Sequence, residues 1–116
     1  MLLANRLMIP LRMPQKNDPL QVGYYSGKDY ADWHLLGETY AWNYHKGCRL
    51  QWCGGDSHII YNICEDNTLM AAICDINSGD MRRVSWPIDH VSSDGLWATS
   101  FSYGRLESLM PGYGYA

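Results

Sequence analysis

The apolar positions of this chain fall into short runs that alternate with polar and turn-forming residues. No window of about twelve residues repeats apolar positions at three- and four-residue spacing without a Gly or Pro, so the pattern does not predict helices. Runs rich in β-branched and aromatic residues, with turn signals roughly every 8 to 12 positions, are typical of strands. The pattern predicts about nine strands: Leu2–Leu11, Leu20–Tyr25, Trp33–Trp42, Cys48–Cys53, His58–Cys64, Met70–Ile76, Met81–Trp86, Asp89–Ser93 and Leu96–Ser102.

The connections between these runs are rich in Gly, Asn, Asp and Ser, which are turn-forming residues. We expect a hairpin-length loop at Glu65–Leu69 and tight turns at Asn77–Asp80 and Asp94–Gly95. Carboxylates before or within such turns accept backbone N–H hydrogen bonds and hold the turn. This predicts structural roles for three aspartates: Asp56, Asp75 and Asp94.

An internal repeat in the sequence helps to distinguish a β-propeller from a β-sandwich. Leu50–Asn62 and His90–Phe101 each contain a short apolar strand, a turn of small residues that includes an Asp, and a second β-rich strand. A four-stranded propeller blade repeats every roughly 40–45 residues. The two aspartates, Asp56 and Asp94, are separated by close to that length, so a propeller is favoured over a sandwich.

Several segments resemble known propeller repeats. Ser92–Ala98 (SSDGLWA) resembles the "S-P-D-G" signature of TolB-like and WD-repeat-like bacterial propellers, with Ser93 where these repeats usually have Pro. Ile73–Asp80 resembles the strand and turn of the same repeats, and Thr39–Trp52 together with Pro111–Tyr115 is similar to an uncharacterised family of bacterial propellers. The resemblance implies that oligogalacturonate lyase is a distant relative at the level of fold, but no pair of histidines in this chain shows the pattern of that lyase's metal-binding histidines.

The resemblance implies an all-β fold made of antiparallel four-stranded blades. Propellers typically have four to eight blades, so this chain is expected to be a fragment of about two blades from a longer parent. The expected division is an incomplete blade at residues 1–42, a complete blade at 48–86, and the start of the next blade with a loop tail at 88–116. Two blades leave apolar flanks open, which predicts contact with the remaining blades of the parent or self-association.

Composition and charge exclude several classes of partner. The chain is 47% hydrophobic and 13% aromatic, which indicates a globular protein. Its net charge is −3 and its Lys and Arg residues are not clustered, so nucleic acid is not an expected partner. No apolar run approaches the roughly 20 residues of a membrane helix, and the first residues do not form a signal peptide. No membrane partner is expected.

The four cysteines predict no metal site. Cys48, Cys53, Cys64 and Cys74 contain no CxxC pair, so a zinc ribbon is not expected. We interpret them as reduced and mostly buried thiols, which fits a reducing compartment and favours the cytoplasm. No cofactor is implied.

The loops that blade topology collects at one rim contain the candidate ligand-binding chemistry. Aromatic rings stack on sugar faces, and Arg binds carboxylates through two parallel hydrogen bonds, so a carbohydrate or a small acidic ligand is the expected partner. Glu65 and Asp66 belong to the same rim and could bind hydroxyls. The candidate ligand-binding residues are Arg12, Asn43, Tyr44, His45, Lys46, Arg105 and Tyr113.

His45 is the candidate catalytic residue, since imidazole can act as a general base near neutral pH. His34, His58 and His90 fall on predicted strands and are expected to be packed or hydrogen-bonded. Two functions remain open. The first is a non-catalytic, ligand-binding or scaffold propeller fragment, and the alternative is a carbohydrate-active lyase or hydrolase of propeller fold.

Overall fold

The chain folds as an all-β protein with two antiparallel sheets. The computed structural model describes residues 1–7, 18–42 and 47–100. Within those ranges the only helical segment is a single 3-10 turn at Lys28–Tyr30, and no helix is long and apolar enough to span a membrane. The described residues form seven strands: β1 Leu2–Arg6, β2 Leu20–Ser26, β3 Asp32–Thr39, β4 Gln51–Trp52, β5 His58–Glu65, β6 Thr68–Asp75 and β7 Met81–Val84.

Both sheets are meanders, in which neighbours along the chain are neighbours in the sheet. The first has the order β1-β2-β3, with a register shift between Val22 and Gly23 where β2 faces β3. The second has the order β4-β5-β6-β7. Its two long central strands meet at Asp66 and Asn67, whose φ angles of 49° and 61° are those of the tight hairpin turn that matches sheet twist.

One hydrophobic core joins the two sheets. Leu20 and Val22 of β2 pack against Ile59, Tyr61 and Ile63 of β5. The three β5 residues are two positions apart, so they point to one face of the strand. Trp42 and Trp52 are half-buried against this same cluster, as expected of tryptophans that pack between sheets.

The other face of the second sheet is covered as well. A short hairpin at residues 89–99, with an isolated bridge between Val91 and Ala98, lies against it. Val91 and Ile88 pack on Ile60 and Ala71, which point away from the first sheet. Because β5 and β6 are covered on both faces, the part of the chain that the structure describes forms three layers: first sheet, second sheet and hairpin.

The hairpin at 89–99 repeats the hairpin formed by β4 and β5. In the first, Trp52 pairs with Ile59, and Cys53 N–H donates to His58 O. In the second, Val91 pairs with Ala98, and Ser92 N–H donates to Trp97 O. Trp52 therefore corresponds to Val91 and Ile59 to Ala98, with the same offset along the chain in both cases. Each hairpin closes over a turn of the same length.

This register corrects the sequence alignment of the two turns. Asp56 is the third residue of its turn and Asp94 is the second of its turn, so the two aspartates are not equivalent. The repeat length taken from their spacing is therefore one position too short. Asp94 does hold its own turn, because its Oδ1 accepts hydrogen bonds from Ser92 Oγ and from Leu96 N–H.

The fold also corrects several predicted strand boundaries. Of the predicted strand Cys48–Cys53 only Gln51–Trp52 forms a regular strand, because Arg49 has a φ angle of 59°, which a β-strand does not adopt. The predicted loop Glu65–Leu69 shrinks to Asp66 and Asn67, since Glu65 pairs with Thr68. Asn77–Asp80 is a tight turn as predicted, with Gly79 at φ 80°.

Candidate functional site

Two ends of the sheet stack can be distinguished by their loops. The end that we call the Gly54 end contains the turns after β4 and β6 and the hairpin turn. There Ile76 N–H donates to Ser57 O, and Gly54 touches the backbone of Asp94 and Gly95. The opposite end, which we call the Trp42 end, contains Asp18, residues 39–42 and the β5–β6 turn.

The Trp42 end is held together by contacts between the two sheets. Trp42 Nε1 donates a hydrogen bond of 2.8 Å to the carbonyl oxygen of Asp18. Thr39 Oγ1 donates to Asn62 O at 2.6 Å and accepts from Ala41 N–H at 3.0 Å. The chain segments that flank residues 8–17 and 43–46 therefore meet at this end.

All seven predicted ligand-binding residues lie outside the described ranges. They are Arg12, Asn43, Tyr44, His45, Lys46, Arg105 and Tyr113. Their grouping into a site, and the role of His45 as a general base, stay predictions.

Glu65 is paired with Arg83, and sequence reasoning did not find this. Arg83 Nε donates to both Glu65 carboxylate oxygens at 2.8 and 2.9 Å, and Nη2 donates to Oε1 at 2.7 Å. The hydrogen bonds from Arg83 hold the pKa of Glu65 below its ordinary value. The carboxylate is ionised and already accepts three hydrogen bonds from a guanidinium, so a sugar hydroxyl at Glu65 would compete with this ion pair.

A cleft of about 310 Å³ separates β3 from the second sheet at the Trp42 end. Tyr61 lies at its base and is 2% exposed. The phenol fits because Gly37 of β3 has no side chain: a Cβ there would lie 2.7 Å from Tyr61 Oη. Burial raises the pKa of Tyr61 to about 12, so this hydroxyl remains protonated at neutral pH and can donate a hydrogen bond but cannot act as a base.

Asn62 is the buried polar residue that ties the layers together. Its side chain donates to Ile88 O at 2.9 Å and accepts from Ile88 N–H at 2.7 Å, while its backbone N–H donates to Cys48 O. Every atom of this pairing is buried, where an unpaired amide costs about 1–3 kcal/mol. The residue therefore fixes the hairpin segment to the sheet and has a structural role.

A serine, a histidine and an aspartate meet at the Gly54 end. Ser57 Oγ lies 2.8 Å from His58 Nδ1, and His58 Nε2 lies 3.7 Å from Asp75 Oδ2. The second distance is too long for a hydrogen bond, and Asp75 Oδ1 accepts the backbone N–H groups of Asn77 and Ser78. Those backbone hydrogen bonds lower the pKa of Asp75, so the group stabilises the turn, as predicted for Asp75, and does not form a catalytic triad.

The remaining predictions for single residues can be compared with the structure. His34 lies on β3, stacks on Tyr24 at 4.5 Å between ring centroids and bonds Ser26 Oγ, which confirms a hydrogen-bonded role. His90 is exposed and lies in the hairpin rather than in a named strand. All four cysteines are free, as predicted, with Cys48 and Cys74 buried and Cys53 and Cys64 half-buried.

In the described ranges no group of three or more His, Cys, Asp or Glu side chains could hold a metal ion.

Comparison with family models, with curated proteins and with solved structures found no match for the chain. The case for a function therefore depends on the geometry of the layers and on the chemistry of the loops.

Proposed function

We propose that this chain is a non-catalytic scaffold module of β-propeller type that binds a polar, acidic ligand such as a sugar acid through loops at the Trp42 end. The observation that carries the proposal is the repeated packing step. Trp52 and Ile59 of the first hairpin pack towards the first sheet, and Val91 of the second hairpin packs towards the second sheet in the same register, one repeat later.

A repeated step favours a stack of blades over a simple sandwich. In a sandwich two sheets share one core, and their outer faces are solvated. Here Ile60, Asn62 and Ala71 on the outer face of the second sheet are at most 4% exposed, because the hairpin covers them. A sheet that is buried on both faces by its neighbours in sequence is what stacked blades require.

The contact between Trp42 and Asp18 supports a shared ligand site at the Trp42 end. Asn43, Tyr44, His45 and Lys46 follow Trp42 directly in the chain, and Arg12 shortly precedes Asp18. Cationic and aromatic side chains are the groups that bind the carboxylate and the ring face of a sugar acid. In this proposal those residues bind, while the sheets below them supply a fixed frame.

Calorimetric titration with oligogalacturonate, beside a neutral glucose oligomer of equal length, tests the proposal. We expect saturable binding of the acidic oligomer alone, and at least a tenfold loss of affinity in His45→Ala and Lys46→Ala. His34→Ala is the matched control, because this histidine lies in the first sheet and stacks on Tyr24. Absence of binding would contradict the ligand-binding function.

The same samples distinguish the carbohydrate-active enzyme alternative. A lyase or a hydrolase would shorten the oligomer, which chromatography of the incubated sugar detects. Cleavage that is lost in His45→Ala would replace the non-catalytic function with the enzymatic one. We expect the oligomer to be recovered intact.

A further inference from the structure

The outer face of the first sheet carries an apolar and aromatic surface, which we call the Trp33 face. Its strand register aligns Leu2, Tyr25 and Trp33 in one row across the sheet, and Ala4, Gly23 and Leu35 in the next. The Trp33 ring lies over Gly23, where an added Cβ would be 2.7 Å from the ring. Leu2 and Leu35 are 52% and 54% exposed, so no described residue covers the surface there. The Arg6 guanidinium lies 5.0 Å from the centroid of the Trp33 ring.

A second open surface lies at the opposite side of the stack, on the hairpin. Trp97 pairs with Ser92 on the side of the hairpin that points away from Val91, and His90 and Thr99 lie on that same side. We call these four residues, His90, Ser92, Trp97 and Thr99, the Trp97 face. Trp97 is 77% exposed, although a large aromatic ring gains much of its stabilisation from burial.

The repeated packing step shows what is missing from the Trp97 face. In the first hairpin the positions that correspond to His90 and Thr99 are Gln51 and Ile60, by the same offset that relates Trp52 to Val91. In the first hairpin these two positions are covered: Ile60 is 4% exposed, and the Gln51 amide bonds the backbone of Asp89 and Val91. His58, which corresponds to Trp97 by the same offset, is 47% exposed at its side chain. The second hairpin repeats the first, but His90 and Thr99 have no such cover within the described ranges.

We propose that the Trp97 face of one chain docks on the Trp33 face of a second copy of the same chain, head to tail. This inference rests on the stacked-repeat architecture proposed above. In the proposed contact, the Trp33 face of one copy lies against the Trp97 face of the other copy's hairpin. The second sheet and the hairpin at 89–99 already pack on each other within one chain, so the docking adds one more layer to the stack. Both halves of the contact are present on every chain, so no other protein is needed to complete it.

The contact joins two different surfaces, and this determines what assemblies it can form. Such a heterologous contact generates a ring if the rotation between copies closes and an open filament if it does not. The Trp and Tyr side chains of the two faces are of the kind that dominates binding energy at protein interfaces, and the aliphatic side chains add apolar area that is removed from water. Burial of Trp97 and Leu35 is therefore expected to contribute much of the affinity.

Sedimentation velocity of the full chain over a concentration series tests this docking. We expect reversible self-association, and a rise of at least about tenfold in the dissociation constant for Trp97→Asp and for Leu35→Asp. Trp86→Asp is the matched control: this tryptophan is 72% exposed but belongs to neither face, so the same change should leave association unaltered. Leu2→Asp replaces Leu35→Asp if the latter fails to fold by circular dichroism.

Mixing the two variants gives the decisive result. Trp97→Asp keeps an intact Trp33 face and Leu35→Asp keeps an intact Trp97 face, so an equimolar mixture should form a dimer that neither variant forms alone, and no larger species. A monomeric wild-type chain, an effect of Trp86→Asp equal to that of Trp97→Asp, or a mixture that stays monomeric would each overturn the docking. A wild-type monomer that still binds oligogalacturonate would overturn the docking alone and leave the proposed function in place.

Discussion

At the scale of single residues, two buried groups couple the stability of the protein to alkaline pH. Cys48 is fully buried, and burial raises the pKa of its thiol from 9.0 to about 12. Burial likewise raises the pKa of Tyr61 to about 12. A pKa that is raised in the folded state gives stability that is complete below the pKa of the unfolded chain and is lost as the pH rises towards the folded value.

The Cys48 thiol should therefore make the protein less stable above pH 9. One unit of pKa shift corresponds to about 1.4 kcal/mol, so we expect a loss of about 2 kcal/mol between pH 8 and pH 10.5 from this group. Urea unfolding under reducing conditions at the two pH values measures it. Cys48→Ala should be less stable than wild type at pH 8 but should lose about 2 kcal/mol less on going to pH 10.5; an equal loss in both proteins would show that the thiol does not titrate in this way.

At the scale of the elements, the two equivalent hairpins touch through their turns. Gly54 has a φ of 69°, and a Cβ there would lie 2.8 Å from Asp94 O and 2.9 Å from Gly95 Cα. Gly55 also has a positive φ, 89°, but a Cβ there would meet nothing within 4 Å. Comparing Ala substitutions at these two neighbouring glycines therefore separates the free-energy cost of backbone strain from the cost of a collision between the turns.

Substituting Ala for each glycine should show this difference. Gly55→Ala is expected to cost about 1 kcal/mol for the left-handed backbone alone. Gly54→Ala adds a collision with backbone, which cannot move aside as a flexible side chain can, and should cost a further ~1–3 kcal/mol. Chemical unfolding of both variants measures the two values, and equal costs would mean that the turns are not in contact in solution.

The elements also show how far the sequence could predict this fold. The long β-rich runs were found to within one residue for β5 and two residues for β6, because β-rich composition and turn residues at their ends agree. The pairing of β4 was overestimated, since nothing in its composition shows the positive φ of Arg49. The repeat was recognised but its register was one position out, because the aspartates of the two turns look equivalent and only the hydrogen bonds show that they are not.

The candidate site was less predictable than the fold for a physical reason. The Glu65–Arg83 pair and the Asn62–Ile88 pair join residues 18 and 26 positions apart, and such pairings depend on how strands and layers align in space. Residue type alone marks Glu65 as a free carboxylate and gives Asn62 no special role. His45 and its neighbours were chosen from residue chemistry and loop position, so they stay predictions.

At the scale of the whole molecule, the shared core decides whether the two sheets are one folding unit. Val22 of the first sheet is fully buried in the same cluster as Ile59, Tyr61 and Cys74 of the second. Thr39 and Asn62 add a buried hydrogen bond between the sheets. A core that is continuous in this way predicts that neither sheet keeps its structure when the other opens.

Val22→Ala tests that cooperativity. Removing two buried methyl groups should lower the free energy of unfolding by about 2 kcal/mol. Native-state hydrogen exchange shows which strands lose amide protection as a result. If the sheets open together, the most protected amides of β5 should lose as much protection as those of β2, although Val22 is not part of their sheet. Leu96→Ala, at a side chain 76% exposed, should change neither the free energy of unfolding nor the protection of the amides in β2 and β5. Unchanged protection of β5 in Val22→Ala would mean that the first sheet opens alone, and that the second sheet with its hairpin is the unit on which the stack is built.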